Sequence, residues 1–365
     1  MIALKIAVGP LPVDHDLVFR LRSDAILDQR SKVGRDAILI SHENGTAEYD
    51  ASGLSLRLKI SDPEELNGDV ILVRRGARTA HRLIRQHSRH NTLLVTEQCD
   101  QKCIMCSQPP KLQHLDLFES FGQALELAPE NSRIGITGGE PTLHKKALFG
   151  LLANARKKRP DLTFHVLTNA QHFEEDDIAS IEALGSDAVL WGIPLYSADA
   201  LTHDKIVEKN GAFARLGQSL SYLARAGARI ELRTVLLKAN SEGLDELADF
   251  VSRKLSFIDF WAIMQLENIG YARKNWSDIF FDTSLDFEPL ATAIDLASGR
   301  GLNLVLYNFP LCTVPVAYRH FCTNSISDWK NKHLPFCEGC SAISSCAGFF
   351  EWAPATGGFA RLEQQ

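Results

Sequence analysis

Three cysteines fall within eight residues in Cys99-Asp-Gln-Lys-Cys103-Ile-Met-Cys106, spaced C-x₃-C-x₂-C. Three thiolates in so compact a loop suit an iron–sulfur cluster better than a lone ion. Cluster ligands are usually thiolates, and a [4Fe–4S] cube takes four. Three ligands leave one iron open to a ligand that the protein does not supply. Zinc would need a fourth ligand, from His114 or a distant cysteine. The apolar run Leu93–Glu97 precedes Cys99, so the loop stands at the end of a strand.

A second stretch carrying chemistry is Thr137-Gly138-Gly139-Glu140-Pro141-Thr142. Paired glycines permit close backbone approach. Glu140 is a carboxylate fixed just before a proline, able to accept hydrogen bonds from an ammonium group. Alone, Gly-Gly-Glu-Pro reads as a turn; one strand after the cysteine loop, it reads as part of the same site.

The other five of the eight cysteines lie in the C-terminal fifth, at 312, 322, 337, 340 and 346. Cys337, Cys340 and Cys346 are spaced C-x₂-C-x₅-C, and Cys312 supplies a fourth ligand from upstream. Cys322 is then a free thiol or an alternate ligand. Structural zinc competes with a cluster here. A disulfide framework belongs to small secreted chains. This chain has 365 residues, clustered cysteines and no basic-then-apolar leader. Metal ligation in a reducing cytoplasm is the expectation.

The elements that position these groups follow from patterning. Residues 1–90 are β-rich, with runs Ala3–Val8, Leu17–Arg22, Ala37–Ile40, Leu54–Ile60 and Val70–Val73 parted by turn residues, as in a small barrel or sandwich. Arg74–His90 holds six arginines and three histidines. It reads as a solvated linker helix with acidic neighbours, or as a strip for phosphate or acidic peptide. From Leu93, strand-like runs (93–96, 133–137, 163–167, 188–194, 229–237, 257–264) alternate with helical stretches near 114–128, 144–158, 175–184, 212–226, 242–254 and 286–298. Six βα units predict an α/β fold with a parallel sheet, a partial (β/α)₆ barrel whose active residues gather at the strands' C-terminal ends. The domains expected are 1–90, 91–300 and a cysteine-rich extension, 301–365. The net charge of −6 argues against nucleic acid as the partner, and no apolar run is long enough for a membrane span.

Together the cysteine loop and Gly138-Gly139-Glu140-Pro141 resemble the radical SAM superfamily, over roughly residues 91–300. The resemblance implies that Cys99, Cys103 and Cys106 bind a [4Fe–4S] cluster and that S-adenosylmethionine (SAM) chelates the open iron. Gly138, Gly139, Glu140 and Pro141 would contact its methionine end. An external reductant would then drive cleavage of SAM to a 5′-deoxyadenosyl radical. By the same resemblance, Thr168, Asn169, Ser197, Arg233 and Asn240 contact the cofactor's ribose and carboxylate, with cap or turn duty the competing reading of each. Ile263 and Gln265 would flank the adenine. His203-Asp204 resembles a pair seen in peptide-modifying members and reads as structural. Met105 stands where the family usually has an aromatic.

The tail resembles a twitch segment, an abbreviated SPASM-like extension, which implies a second [4Fe–4S] cluster on Cys312, Cys337, Cys340 and Cys346. The stretches Asn91–Cys99, Cys106–Pro110, Ser325–Asn331, Cys337–Cys340 and Cys346–Phe350 look like the His-Xaa-Ser system radical SAM maturase of the C type. That resemblance implies a ribosomally made peptide or small protein rich in His-Xaa-Ser repeats as substrate. It also implies a second radical SAM protein as partner. The rivals are a radical SAM enzyme acting on a small molecule or RNA, and a zinc-stabilised binding protein.

Overall fold

The computed structural model describes residues 4–11, 13–23, 34–354 and 357–364, so Ala3 of the first expected strand lies outside them. Seven strands build the N-terminal sheet: β1 (Lys5–Ala7), β2 (Leu17–Arg22), β3 (Asp36–Glu43), β4 (Thr46–Ala51), β5 (Leu54–Lys59), β6 (Val70–Val73) and β7 (Thr79–Ile84). Their order is β1-β7-β6-β2-β3-β4-β5. Val8 bridges Leu58, so the sheet curls until its two edges meet. Alternation explains the inner core: Leu56 and Leu58 of β5 point in, with Leu21, Tyr49 and Ile71. Val70-Ile-Leu-Val73 is buried on both faces. Ile71 and Val73 fill that core, while Val70 and Leu72 pack with Phe121 and Leu125 of the larger unit.

The larger unit is a parallel sheet of eight strands: β8 (Asn91–Thr96), β9 (Arg133–Gly138), β10 (Thr163–Leu167), β11 (Val189–Pro194), β12 (Arg229–Val235), β13 (Phe260–Met264), β14 (Leu304–Tyr307) and β15 (Cys322–Thr323). Order follows sequence, with β8 and β15 at opposite edges, so the sheet is open. The helices are α1 (Phe118–Glu126), α2 (Lys145–Lys158), α3 (Ile178–Leu184), α4 (Ala200–Val207), α5 (Ala212–Arg225), α6 (Lys238–Ser241), α7 (Leu244–Lys254), α8 (Tyr271–Lys274), α9 (Trp276–Ile279) and α10 (Glu288–Gly299). They bury apolar stripes at helical spacing: Leu216, Leu220 and Leu223 in α5, Leu244, Leu247, Ala248 and Val251 in α7. Among the described residues, no helix is long and apolar enough to cross a membrane. The tail adds a hairpin of β16 (Asn331–Lys332) and β17 (Phe349–Phe350).

The reading of Arg74–His90 as a linker helix is corrected. Thr79–Ile84 is a strand, and two of its basic residues are not solvated. Arg82 pairs with Asp69 at 2.5 Å. Arg85, with a side chain 8% exposed, pairs with Asp328 at 2.5 Å and bonds Ser88. A helix was expected because charge is common on solvated helices; here the charges are matched by buried carboxylates distant in sequence.

Asp328 belongs to Ser325–Asn331, which fastens the tail to both units. Ser325 Oγ bonds Asn308, Lys330 Nζ pairs with Glu267 at 3.3 Å, and Asn331 reaches the carbonyl of Ala347. Asp328→Ala strands a buried guanidinium. It is expected to cost about 1–3 kcal/mol. Urea unfolding would measure this, and limited proteolysis should cut the tail faster than in wild type.

Candidate active site

The cysteine loop follows β8 and is pinned by main-chain bonds. Lys102 and Ile104 N–H donate to Val207 and Ile206 carbonyls at the end of α4. On the other side, Tyr271 N–H donates to the Cys106 carbonyl at 2.8 Å, and Asn275 Nδ2 to that of Ile104 at 2.8 Å. Met105 is buried with Tyr196, Leu266 and Phe280. Asp100 is held by Asn169 Nδ2 at 2.8 Å, His172 Nε2 at 3.2 Å and Lys209 Nζ. Burial alone would raise its carboxyl; the bonds from His172, Lys209 and Asn169 outweigh that and hold it well below the usual range.

All three thiols are free. Burial pushes Cys99 up to about 12 and raises Cys103 and Cys106. Cys99 and Cys103 also feel each other's and Cys106's charge, so the three sulfurs crowd one place. Thiolates so placed need a cation beside them, and soft sulfur donors suit iron clusters. The donor set therefore fits a [4Fe–4S] group. Among the described residues, no three His, Cys, Asp or Glu side chains close on a single-ion site.

The end of β9 lies against the start of this loop. Gly139 N–H donates to Thr96 O at 2.9 Å and Glu140 N–H to Gln98 O at 2.7 Å. A Cβ on Gly139 would sit 2.2 Å from Gln98 O and 2.9 Å from Cys99 Cβ. That approach is why glycine is needed here. Gly139→Ala must push the cysteine loop away. Iron content per chain, measured after anaerobic reconstitution, is expected to fall severalfold while circular dichroism stays unchanged.

Glu140 is fully buried, and its carboxylate is already satisfied. It accepts from Thr142 N–H at 2.8 Å, Thr142 Oγ1 at 2.5 Å, Thr168 Oγ1 at 2.6 Å and Asn169 N–H at 2.5 Å. Burial raises its pKa against the pull of these bonds. The side chain thus clamps the end of β10 to the end of β9. The geometry leaves it no lone pair aimed outward at an ammonium group.

Residues 93–251 match the model described as the radical SAM superfamily. This chain carries a radical SAM domain. Such a domain implies a [4Fe–4S] cluster and SAM. No curated protein matches the sequence. Among solved structures, Streptococcus suis SuiB bound to S-adenosylmethionine is similar at 18% identity and a TM-score of 0.49, over 61% of this chain and 51% of SuiB. Native anSMEcpe with bound AdoMet and Cp18Cys peptide is similar at 14% identity and a TM-score of 0.48, over 58% of this chain and 62% of that one. The chain thus spans about half the length of SuiB.

The remaining residues expected at the radical SAM site divide. Thr168 and Asn169 sit beside the cysteine loop, with Asn169 Nδ2 4.0 Å from Cys99 Sγ. Pro141 is buried and opens a 3₁₀ turn after Glu140. Ser197 accepts from Asp199 N–H at 3.0 Å, ahead of α4. Asn240 spends its amide on Tyr196 O, Val235 O and Leu237 N–H, bracing β11 to β12. Both are occupied as braces. Ile263 shares the helix-side core with Trp261, fully buried, so its side chain turns away from the face that carries Arg233. Gln265 bonds Leu266 N–H and Phe281 O. His203 accepts from Tyr196 N–H and Asp204 from Gly211 and Phe213 N–H, a structural pair as read.

On the other face of the sheet lies a polar group that the sequence reading missed. Arg233 donates to Glu231 at 2.6 Å and Met264 Sδ at 3.0 Å, and lies over the Tyr307 ring at 5.9 Å. Glu231, fully buried, also meets His165. Burial would raise the Glu231 carboxyl, but Arg233 and His165 hold it below its usual range. Glu231 and Arg233 two apart in an apolar strand were the visible signal.

The C-terminal cysteines also sort by place. Cys312, Cys337, Cys340 and Cys346 line one pocket with His333 and Phe336. Cys346 Sγ accepts N–H bonds from Leu311 and Gly348, both at 3.3 Å, as a ligating thiolate would. Burial, then the charge of Cys346, Cys337 and Cys340, pushes Cys312 up to about 12. Cys322 stands apart, in β15 opposite Leu306 and packed against the helix-side core.

Proposed function

We propose that this chain is a radical SAM enzyme modifying a ribosomally made peptide or small protein, with a His-Xaa-Ser repeat protein as the candidate substrate. The observation that carries the radical SAM reading is the three-thiol loop seated against Gly138-Gly139 at adjoining strand ends. Cys99, Cys103 and Cys106 hold the cluster, and Asp100, pinned by Asn169, His172 and Lys209, fixes the loop. Bound together, the cluster and SAM supply a 5′-deoxyadenosyl radical that abstracts hydrogen from the substrate. The main chain at Gly138–Pro141 with Thr168 and Asn169 receives the methionine end; Glu140 positions them from behind. Arg233, set by Glu231, offers a cation to a carboxylate. Ser197 and Asn240 shape the rim through backbone bonds.

The peptide part of the reading rests on the sequence resemblance, which spans both the barrel and the tail. The gathering of Cys312, Cys337, Cys340 and Cys346 supports a second cluster in residues 301–365, with Cys322 held in reserve. Residues 1–90 would help present the substrate to the core at 91–300, and a second radical SAM protein of the same system would act beside it. Anaerobic iron and sulfide counting with peptide turnover tests this. About eight irons per chain and a mass change in a His-Xaa-Ser peptide support it. About four irons leave only the first cluster. Zinc with little iron, or SAM cleavage without peptide change, favours the rivals.

A further inference from the structure

One face beside the cysteine loop carries apolar and basic groups that no role above uses. Leu112 is 96% exposed, Leu115 45% and Leu143 38%. The rings of His114 and His144 stack 3.7 Å apart and join the two segments bearing these leucines. Next to Leu143, an open pocket is lined by Lys145, Lys146, His172 and Arg215. Lys145 is matched by Glu174 and Asp177, and Lys111 by Glu97. Lys146 is exposed, and Arg215 donates to the carbonyls of Gln171 and Phe173, which leave its charge intact. The charge left over on this face is positive.

The face is joined directly to the loop. Gln98, the residue before Cys99, donates to Leu112 O at 2.7 Å and bonds His144 Nε2 at 3.1 Å. His172 meets Asp100, the residue after Cys99. The loop's other flanks are covered by the end of α4 and by Tyr271–Asn275. The open ends of the strands must admit SAM and substrate. An electron donor is left with this side.

Resting on the radical SAM reading, we propose that this face docks an acidic one-electron carrier protein of the flavodoxin or ferredoxin kind. In each encounter the carrier loses one electron and the cluster held by Cys99, Cys103 and Cys106 gains it; no proton moves. An apolar centre with a charged rim is the anatomy of a transient interface. Redox encounters are small and weak, and are steered by charge. An acidic peptide would also meet the charge, but it has no need to lie beside Cys99.

The test uses reduced flavodoxin as donor, with dithionite as the donor that needs no docking. The double variant Leu112→Ser/Lys146→Glu is compared with wild type. Flavodoxin binding, by calorimetry on the holoenzyme, is expected to weaken about tenfold, some 1.4 kcal/mol. Flavodoxin-driven deoxyadenosine formation is expected to slow in step, and wild-type binding to weaken as salt rises. Dithionite-driven formation stays unchanged. Unaltered flavodoxin binding and rate in the variant overturn the proposal. So does a raised KM for peptide under dithionite, which would make the face a peptide site. If wild type fails to cleave SAM even with dithionite, the radical SAM reading fails instead.

Discussion

Replacing Cys99, Cys103 or Cys106 by alanine is expected to reduce deoxyadenosine formation to background. The loss should exceed about 100-fold, since even the outer partners of metal ligands cost 10–100-fold when removed. The fold should survive, because the loop is held by main-chain bonds from Lys102, Ile104 and Cys106 and not by its thiols. Unchanged circular dichroism with loss of the cluster's visible absorbance is therefore the expected pattern. Each single alanine should be as damaging as the triple, because a cube lacking one of three protein ligands is not retained. A single variant that still cleaves SAM at the wild-type rate would remove the assignment of that thiol.

The second large effect concerns Glu140, where stability and catalysis should separate. Glu140→Ala leaves the N–H groups of Thr142 and Asn169 and two hydroxyls facing a buried void. It is expected to cost about 3–5 kcal/mol, as breaking a buried charged network does. Glu140→Gln keeps one oxygen for Thr142 and Thr168 but turns an amide N–H₂ toward the Asn169 N–H. Two donors then face each other, at about 1–3 kcal/mol. Urea midpoints should rank wild type, Gln and Ala in that order. The KM for SAM should rise in the same order as the Thr168–Asn169 turn loosens. A Glu140→Ala protein of wild-type stability that fails only to bind SAM would mean the carboxylate contacts the cofactor directly.

The particular elements show what the sequence could convey. The leucine spacing of α5 and the apolar runs of β8 to β13 state their own structure, because period and burial are local properties. β14 and β15 escaped notice: four residues and two residues are too short to carry a period. The cysteine loop and the glycine pair were legible because their chemistry is local too. Glu140 was placed correctly but given an outward task. Its four donors come from Thr142, Thr168 and Asn169, and the last two lie 28 and 29 residues on. Ile263 was assigned by position along β13, whereas strand parity turns it toward Trp261 and the helices. The arginines of β7 were misread for the same reason as Glu140, since their partners are not neighbours in sequence.

The Arg85–Asp328 pair has a consequence for how the protein is made. The two residues are separated by 243 positions. At about 5–20 residues per second, the carboxylate leaves the ribosome on the order of 10–50 s after the guanidinium it neutralises. Until then the β7–β8 junction carries an unmatched cation, and the N-terminal sheet is not fastened to the rest. The same tail stretch brings Lys330 to Glu267, three residues before the glycine that packs on Cys106. Closure of the nascent chain around its first cysteine loop therefore comes last, which leaves that loop accessible to cluster delivery while translation is still under way.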